Sequence, residues 1–310
     1  MPPLRSAEIE KFHRDGYLIV RGLIRGEELG GLRAAADRVV ADGVAGRGPG
    51  HRYRPGADGA PTYWRTDKAL WDAEPAWGAV TVNPDLLEAV GQCLGMPFFV
   101  MANEALVAKL PGHGAPIPMH QDPPYASLHG EPDPGAYPIP AFTTDIYLDA
   151  ATRDNGCVWA IPGWHRNGRV DLERFSEEEL LGMAQPCEME PGDVMFHCLG
   201  TPHGSPGNQS QDLRRTFYLG FLAEEPWRDF YSRASWSSGF PVWGSPEVAE
   251  RWQQMLSARE ELGFESLRDR PALRFHDTHV EFVGEPRTPP RAWEQPLGWA
   301  SGREAAGREV

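Results

Sequence analysis

Two stretches, "CEMEPGDVMFHC" (Cys187–Cys198) and "RRTFYLGFL" (Arg214–Leu222), decide the fold. Both read as short strands, apolar or aromatic runs set off by turn residues such as Pro, Gly, Asn and Asp. The same texture reaches back to Pro97 through "FFVMA", "ALVAKL", "IPMHQD", "AFTTDIYLD" and "CVWAI". The Asn-Gly of "RDNGCVW" predicts a hairpin turn between two of these strands. Many short strands after a helical start predict a mainly β fold with flanking helices, a double-sheet jelly roll.

The helical start is read from its caps. Ser6 is expected to cap a first helix that Gly16 ends, and "EELGGLRAAADRVVADG" is an amphipathic second. Asn83, Pro84 and Gly95 bound a third over "NPDLLEAVGQCLG". "GRGPGHRYRPGADGAP" (Gly46–Pro61) reads as loop. Ser245 and Pro246 open a late helix, and 301–310 read as a frayed tail. No linker divides the chain. The expectation is one domain over 1–310: helical support at 1–96, the jelly roll at 97–222, and an extension at 223–300 that could act as a lid.

Within "PIPMHQD", His120 and Asp122 lie two apart on extended chain, so both project from one face. An imidazole and a carboxylate side by side are two thirds of a metal site, and a third ligand must come from elsewhere. Among ten histidines, His203 in "GTPHGSPGN" stands out, because Arg214 follows eleven residues later at the mouth of an apolar strand. A guanidinium there is costly to bury unless it meets an anion. His197 lacks an arginine at that offset. His165 and the histidines at 13, 51, 113, 129, 276 and 279 read as structural or surface residues.

The order His120-x-Asp122, His203-Gly204-Ser205, Arg214 resembles the phytanoyl-CoA dioxygenase family, as do "FHRDGYLIVRGLI", "LDAATRDNGCVWAIPGWH" and "PGDVMFHCLGTPHGS". The resemblance covers about Phe12 to Leu222. It implies a double-stranded β-helix, or cupin-like jelly roll, and a non-haem iron(II)- and 2-oxoglutarate-dependent dioxygenase. His120, Asp122 and His203 would be the iron ligands, forming a facial triad with three open positions. 2-Oxoglutarate would take two of these and dioxygen the last, with carbon dioxide and succinate released. Because Asp122 is present, the resemblance implies oxygenation rather than halogenation.

Arg214 and Ser205 would hold the distal carboxylate of 2-oxoglutarate. Lys109 sits where relatives carry a cosubstrate-binding lysine; the alternative is a solvated strand-end lysine. Arg215 faces the other way on its strand and is expected at the surface. Asp145 falls where relatives place a tryptophan. An inward carboxylate could bind substrate or orient a ligand imidazole, whereas a shifted strand would expose it. Asn155-Gly156 is read as a turn.

Composition narrows the partners. The net charge of −14 argues against nucleic acid, which needs a concentrated positive surface. No apolar run approaches a membrane span and no signal peptide is read, so a cytoplasmic protein is expected. Four scattered cysteines fit reduced, buried thiols. Three lysines against 27 arginines fit a GC-rich bacterial gene. The substrate reads as a small organic molecule, a natural product or a catabolic intermediate, with no basic cluster for coenzyme A phosphates. Tyr125, Trp64, Arg65, Trp159 and the aromatic run Asp229–Trp243 are candidate lining. The alternatives are a cupin-type metal hydrolase or isomerase without 2-oxoglutarate, and an oxygenase acting on a protein or an acyl-CoA.

Overall fold

The computed structural model describes residues 4–56, 59–67, 70–100, 104–112, 114–122, 141–167, 170–223, 246–276 and 279–284. Tyr125, Ser245, Asp229–Trp243 and the 301–310 tail lie outside the described residues.

The chain opens with α1 (Ser6–Asp15), β1 (Tyr17–Val20) and α2 (Gly26–Val44). Ser6 is the first helical residue rather than the cap; Arg5 caps, and its N–H donates to the Glu8 carboxylate at 2.8 Å. The expected loop after α2 holds a strand instead. β2 (His51–Pro55) pairs antiparallel with β3 (Pro61–Asp67). Short helices α3 (Leu70–Ala73) and α4 (Pro75–Thr81) precede α5 (Pro84–Leu94). The Asn83 side chain caps α5 by accepting from Leu86 N–H at 3.0 Å.

The strands that follow are β4 (Phe98–Val100), β5 (Ala105–Lys109), β6 (Ile117–His120), β7 (Ala141–Tyr147) and β8 (Val158–Ala160). After α6 (Glu177–Met183) come β9 (Gln185–Cys187), β10 (Val194–Cys198), β11 (His203–Ser205) and β12 (Arg214–Ala223). Helix α7 (Pro246–Glu261) and the hairpin β13 (Leu273–Phe275) and β14 (Val280–Phe282) complete the described chain.

Among the described residues the strands form two sheets. The large one runs β1-β10-β7-β12-β4-β14-β13, with β12 also pairing β5, then β3 and β2; the small one is β6-β11-β8-β9. This is the expected jelly roll. Because β7 and β8 belong to different sheets, the Asn155-Gly156 turn carries the chain between sheets and does not close a hairpin.

Strand alternation divides the large sheet into two faces. Leu106, Ala108, Ile146, Phe196, Phe217, Leu219 and Phe221 pack outward with Phe12, Leu32, Trp77 and Leu86 of the helices. Their partners in the alternation, among them Tyr147 and Met195, face the small sheet and pack with Val158 and Ala160. In the described part of the C-terminal extension, β13 and β14 extend the large sheet and α7 joins the outer layer, where buried Arg259 donates to Glu28 at 2.6 Å and to the Ala79 carbonyl at 3.0 Å. Segment 224–245 of the expected lid lies outside the described residues. All four cysteines are buried and unpaired with one another. Among the described residues no helix is long and apolar enough to cross a membrane.

Candidate metal and cosubstrate site

The small sheet brings the two histidines together. His203 of β11 is the Cα partner of His120 of β6, and cross-strand partners carry their side chains on the same face. Gly204 is required beside it, since a Cβ there would stand 2.9 Å from the Ile117 carbonyl oxygen and from Met119 N. Just past the strand, Asp122 N–H donates to the Leu199 carbonyl at 2.9 Å. One ligand atom each from His120, Asp122 and His203 then lies within 4.8 Å of the others. The imidazole centroids are 4.4 Å apart, and His120 Nε2 is 3.8 Å from Asp122 Oδ1.

Both ring tautomers are set by the backbone. His120 Nδ1 lies 2.8 Å from the Pro118 carbonyl and His203 Nδ1 lies 2.9 Å from that of Thr201. A carbonyl can only accept, so each Nδ1 carries the proton and each Nε2 keeps its lone pair for a cation. Burial first, then His197 and His120, push His203 down to about 3, so this imidazole is neutral at pH 7. Burial alone would raise the Asp122 carboxyl, but His203, His197, His120 and Arg65 hold it below its ordinary value. Two imidazoles, that of His203 neutral, and one ionised carboxylate suit iron(II), whose open 2-His-1-carboxylate face is a recognised donor set.

His197 comes as close to His203, at 4.4 Å between centroids, but its Nε2 is engaged. It donates to Asp145 Oδ1 at 3.2 Å. Burial opposes its protonation, yet the Asp145 carboxylate outweighs that and lifts the ring to about 9. Asp145 is therefore inward and fully buried, and it orients an imidazole that stands beside the cluster.

Across the cleft, Arg214 opens β12 with its side chain on the inner face. It is 1% exposed, and its Nη2 donates to the Tyr147 hydroxyl at 3.3 Å. Among the described residues Nε and Nη1 have no hydrogen-bond partner, and neither has the buried Ser205 hydroxyl. A buried guanidinium with spare N–H groups, and a buried hydroxyl with none of its bonds made, fit a carboxylate ligand. Lys109, the Cα partner of Arg214, is buried rather than solvated. Its Nζ lies within hydrogen-bond distance of the carbonyls of Ala115 at 3.1 Å, Ser205 at 3.4 Å and Pro206. It ties the Ser205 loop to β5, and burial followed by Arg214 and Arg54 lowers it to about 6.

Gly156 (φ +83°) touches the same brace. A Cβ there would collide with the Pro206 carbonyl oxygen and stand 3.1 Å from Lys109 Cδ. Arg215 does face away from the site, but it is not at the surface: α2 covers it. It donates to Asp149 at 2.8 and 2.9 Å, to the Arg33 carbonyl at 3.3 Å and to Asp37. His165, read as structural, is buried with Nε2 3.2 Å from the His13 carbonyl. The indole nitrogen of Trp159 is buried and unpartnered.

Trp64 and Arg65 are in β3. Arg65 is the Cα partner of Val107, and Val107 is the partner of Thr216. The sequence did not single out Tyr147, although the period-2 pattern of "FTTDIYLD" already put it on the face of Asp145.

Comparison with known proteins agrees with this architecture. The phytanoyl-CoA dioxygenase family profile matches residues 12–216. The methylphosphonate hydroxylase of Gimesia maris is 32% identical over 151 residues, which are 46% of this chain and 54% of that protein. The chain thus spans about half the length of that relative. The ectoine dioxygenase of Bordetella bronchiseptica is 23% identical over 245 residues, covering 72% of this chain and 76% of that one. Among solved structures, EctD from S. alaskensis with 2-oxoglutarate and 5-hydroxyectoine superposes with a TM-score of 0.59 at 22% identity, over 71% of this chain and 77% of that one. That likeness carries the fold. With two thirds of its length matched by the family profile, the chain belongs to the phytanoyl-CoA dioxygenase family of iron(II)- and 2-oxoglutarate-dependent oxygenases.

Proposed function

We propose that this protein oxidises a small organic molecule, using iron(II), 2-oxoglutarate and dioxygen and releasing succinate and carbon dioxide. The observation that carries the reading is the convergence of two Nε2 lone pairs and a carboxylate within 4.8 Å. In this reading His120 and His203 hold the iron through Nε2, and Asp122 holds it through a carboxylate oxygen. Arg214 and Ser205 take the distal carboxylate of 2-oxoglutarate. When bound, the iron and the keto acid supply oxygen activation coupled to oxidative decarboxylation.

The remaining residues position and shield. The carbonyls of Pro118 and Thr201 keep both ligand imidazoles in the metal-binding tautomer. The Tyr147 hydroxyl fixes one end of the Arg214 guanidinium and leaves its remaining N–H groups for the cosubstrate. Lys109 acts as a brace on the Ser205 loop, not as a direct ligand. Val107 and Met195 supply apolar wall on the inner face, which helps keep water from the reacting groups. Trp64 and Arg65 belong to the substrate side of the cleft.

The test is succinate formation from 2-oxoglutarate by the full chain with iron(II) and ascorbate in air. Succinate that requires iron, and that disappears in Asp122→Ala, is the expected result. No succinate with iron, alongside turnover of an ester or sugar substrate with zinc or manganese, would replace the oxygenase reading with a hydrolase or isomerase.

A further inference from the structure

The β2–β3 ribbon carries an unbalanced cluster of cations at the edge of the cleft. Register makes Tyr63 the partner of Tyr53 and Arg65 the partner of Arg52, which leaves Trp64 as an extra, unpaired residue. A bulge of this kind re-aims side chains, and bulges are over-represented beside active sites. Arg65, Val107, Thr216 and Tyr147 form one row across four strands of the large sheet. Arg65 therefore shares the inner face with Tyr147, the residue that fixes Arg214. Two guanidiniums lie close to the bulged indole, Arg54 3.7 Å and Arg65 5.8 Å from its ring centre.

The charges of this corner do not cancel. Asp67 accepts from Arg65 Nε and also from Arg52 Nε at 3.1 Å. Arg54 donates to a neutral acceptor, the Pro116 carbonyl at 3.3 Å. Among the described residues Asp67 is the one carboxylate paired with these three guanidiniums, through Arg52 and Arg65, in a chain whose net charge is −14. Among the described residues the terminal nitrogens of Arg65 have no hydrogen-bond partner, and its side chain is 36% exposed, so both can reach a ligand. Burial and the repulsion of Arg65 lower Arg54. Like charges held together beside a cleft concentrate a counter-ion there.

We infer that the substrate carries an oxyanion, a carboxylate or a phosphorus acid, gripped by Arg65 and Arg54 beside Trp64. This rests on the oxygenase reading and adds the substrate class. The anion sits at the β3 edge, and Arg214 remains committed to the cosubstrate. The two arginines divide the work: Arg65 reaches with its terminal nitrogens, while Arg54, with its guanidinium carbon 3.7 Å from the indole centre, supplies charge.

The experiment measures succinate formation by the iron-loaded full chain as methylphosphonate or butanoate is added. Each is matched with an uncharged counterpart, dimethyl methylphosphonate or butanamide. At least one anion is expected to accelerate succinate formation saturably, and its counterpart to have no effect. The anion that works distinguishes phosphorus acid from carboxylate. In Arg65→Gln the half-saturating concentration of that anion should rise by about tenfold or more, the loss of a charge-assisted pair. Arg65→Lys should recover part of it. The 2-oxoglutarate requirement, measured at saturating anion, should move far less than the anion requirement. Equal response to anion and counterpart, no response to either anion, or an unchanged half-saturation in Arg65→Gln overturns the inference. Failure of the wild-type protein to make succinate under any of these conditions overturns the oxygenase reading itself, and the inference with it.

Discussion

Replacing Arg214 with Met separates a ligand-binding arginine from a structural one, because the two roles predict opposite signs. In the protein without 2-oxoglutarate, Arg214 is 1% exposed, with Nε and Nη1 unpartnered and Nη2 on the Tyr147 hydroxyl. Burying a cation costs several kcal/mol, which Tyr147, Tyr218 and the Asp145 carboxylate offset without any direct carboxylate contact. Methionine fills much of the same space without the charge, so the iron-loaded variant without 2-oxoglutarate should melt at the wild-type temperature or above it. With 2-oxoglutarate the order reverses. Two charge-assisted hydrogen bonds at about 1.5–3 kcal/mol each make the variant's 2-oxoglutarate affinity roughly 10²- to 10⁴-fold weaker. At a hundred times its dissociation constant the ligand stabilises wild type by about 2.7 kcal/mol, or roughly 5 °C for a chain of this size. At the same concentration the variant should show almost none of that shift. Anaerobic differential scanning fluorimetry with iron(II), with and without 2-oxoglutarate, reads both quantities. A variant that melts well below wild type yet keeps the ligand shift would refute the reasoning and make Arg214 a structural residue.

Three further predictions follow from other parts of the site and fold. Asp122→Ala should lose both succinate formation and tight iron(II) binding, because it deletes the anionic ligand; iron titration followed by equilibrium dialysis checks this. Gly156→Ala should raise the 2-oxoglutarate requirement with little change in iron binding. Its Cβ would displace the Pro206 carbonyl and Lys109, and with them the loop that carries Ser205. Stability should fall as pH drops from about 6.5 toward 4, because burial holds both His13 and His165 down to about 4. In that window the unfolded chain binds the protons and the fold does not, so stability rises with pH. Each ring, taken alone, accounts for roughly 3 kcal/mol. Urea unfolding of the double variant His13→Gln/His165→Gln at pH 7 and pH 4.5 should show a flatter dependence than wild type.

The parts of the fold that were legible in sequence are those where local pattern and burial agree. Strands β5, β7, β10 and β12 are apolar on their outward face because helices cover it, and they read clearly. β2 did not, because "HRYRP" has no apolar alternation to find and is held through its antiparallel pairing with β3. Arg215 shows a correct local rule meeting an unforeseen neighbour. Alternation turns it away from Arg214 as expected, but α2 covers that face, so it pairs with Asp149 and Asp37 where solvent was expected.

The candidate site divides in the same way. The spacing of His120 and Asp122 is local and legible, and His203 and Arg214 were found through their offset. The brace formed by Lys109 depends on the carbonyls of Ser205 and Pro206, some 97 positions away, which no local pattern encodes. The pairing of Asp145 with His197 likewise spans 52 positions. What the sequence offered there was a carboxylate at an inward strand position, and only the packed sheets supplied its partner.

The most direct measurement is a crystal structure of the protein grown without oxygen, with iron(II) and 2-oxoglutarate bound. The account predicts one iron bonded to His120 Nε2, His203 Nε2 and an Asp122 oxygen, with the distal carboxylate of the keto acid on Arg214 and Ser205. Iron bound through His197, or 2-oxoglutarate lying away from Arg214, would contradict it.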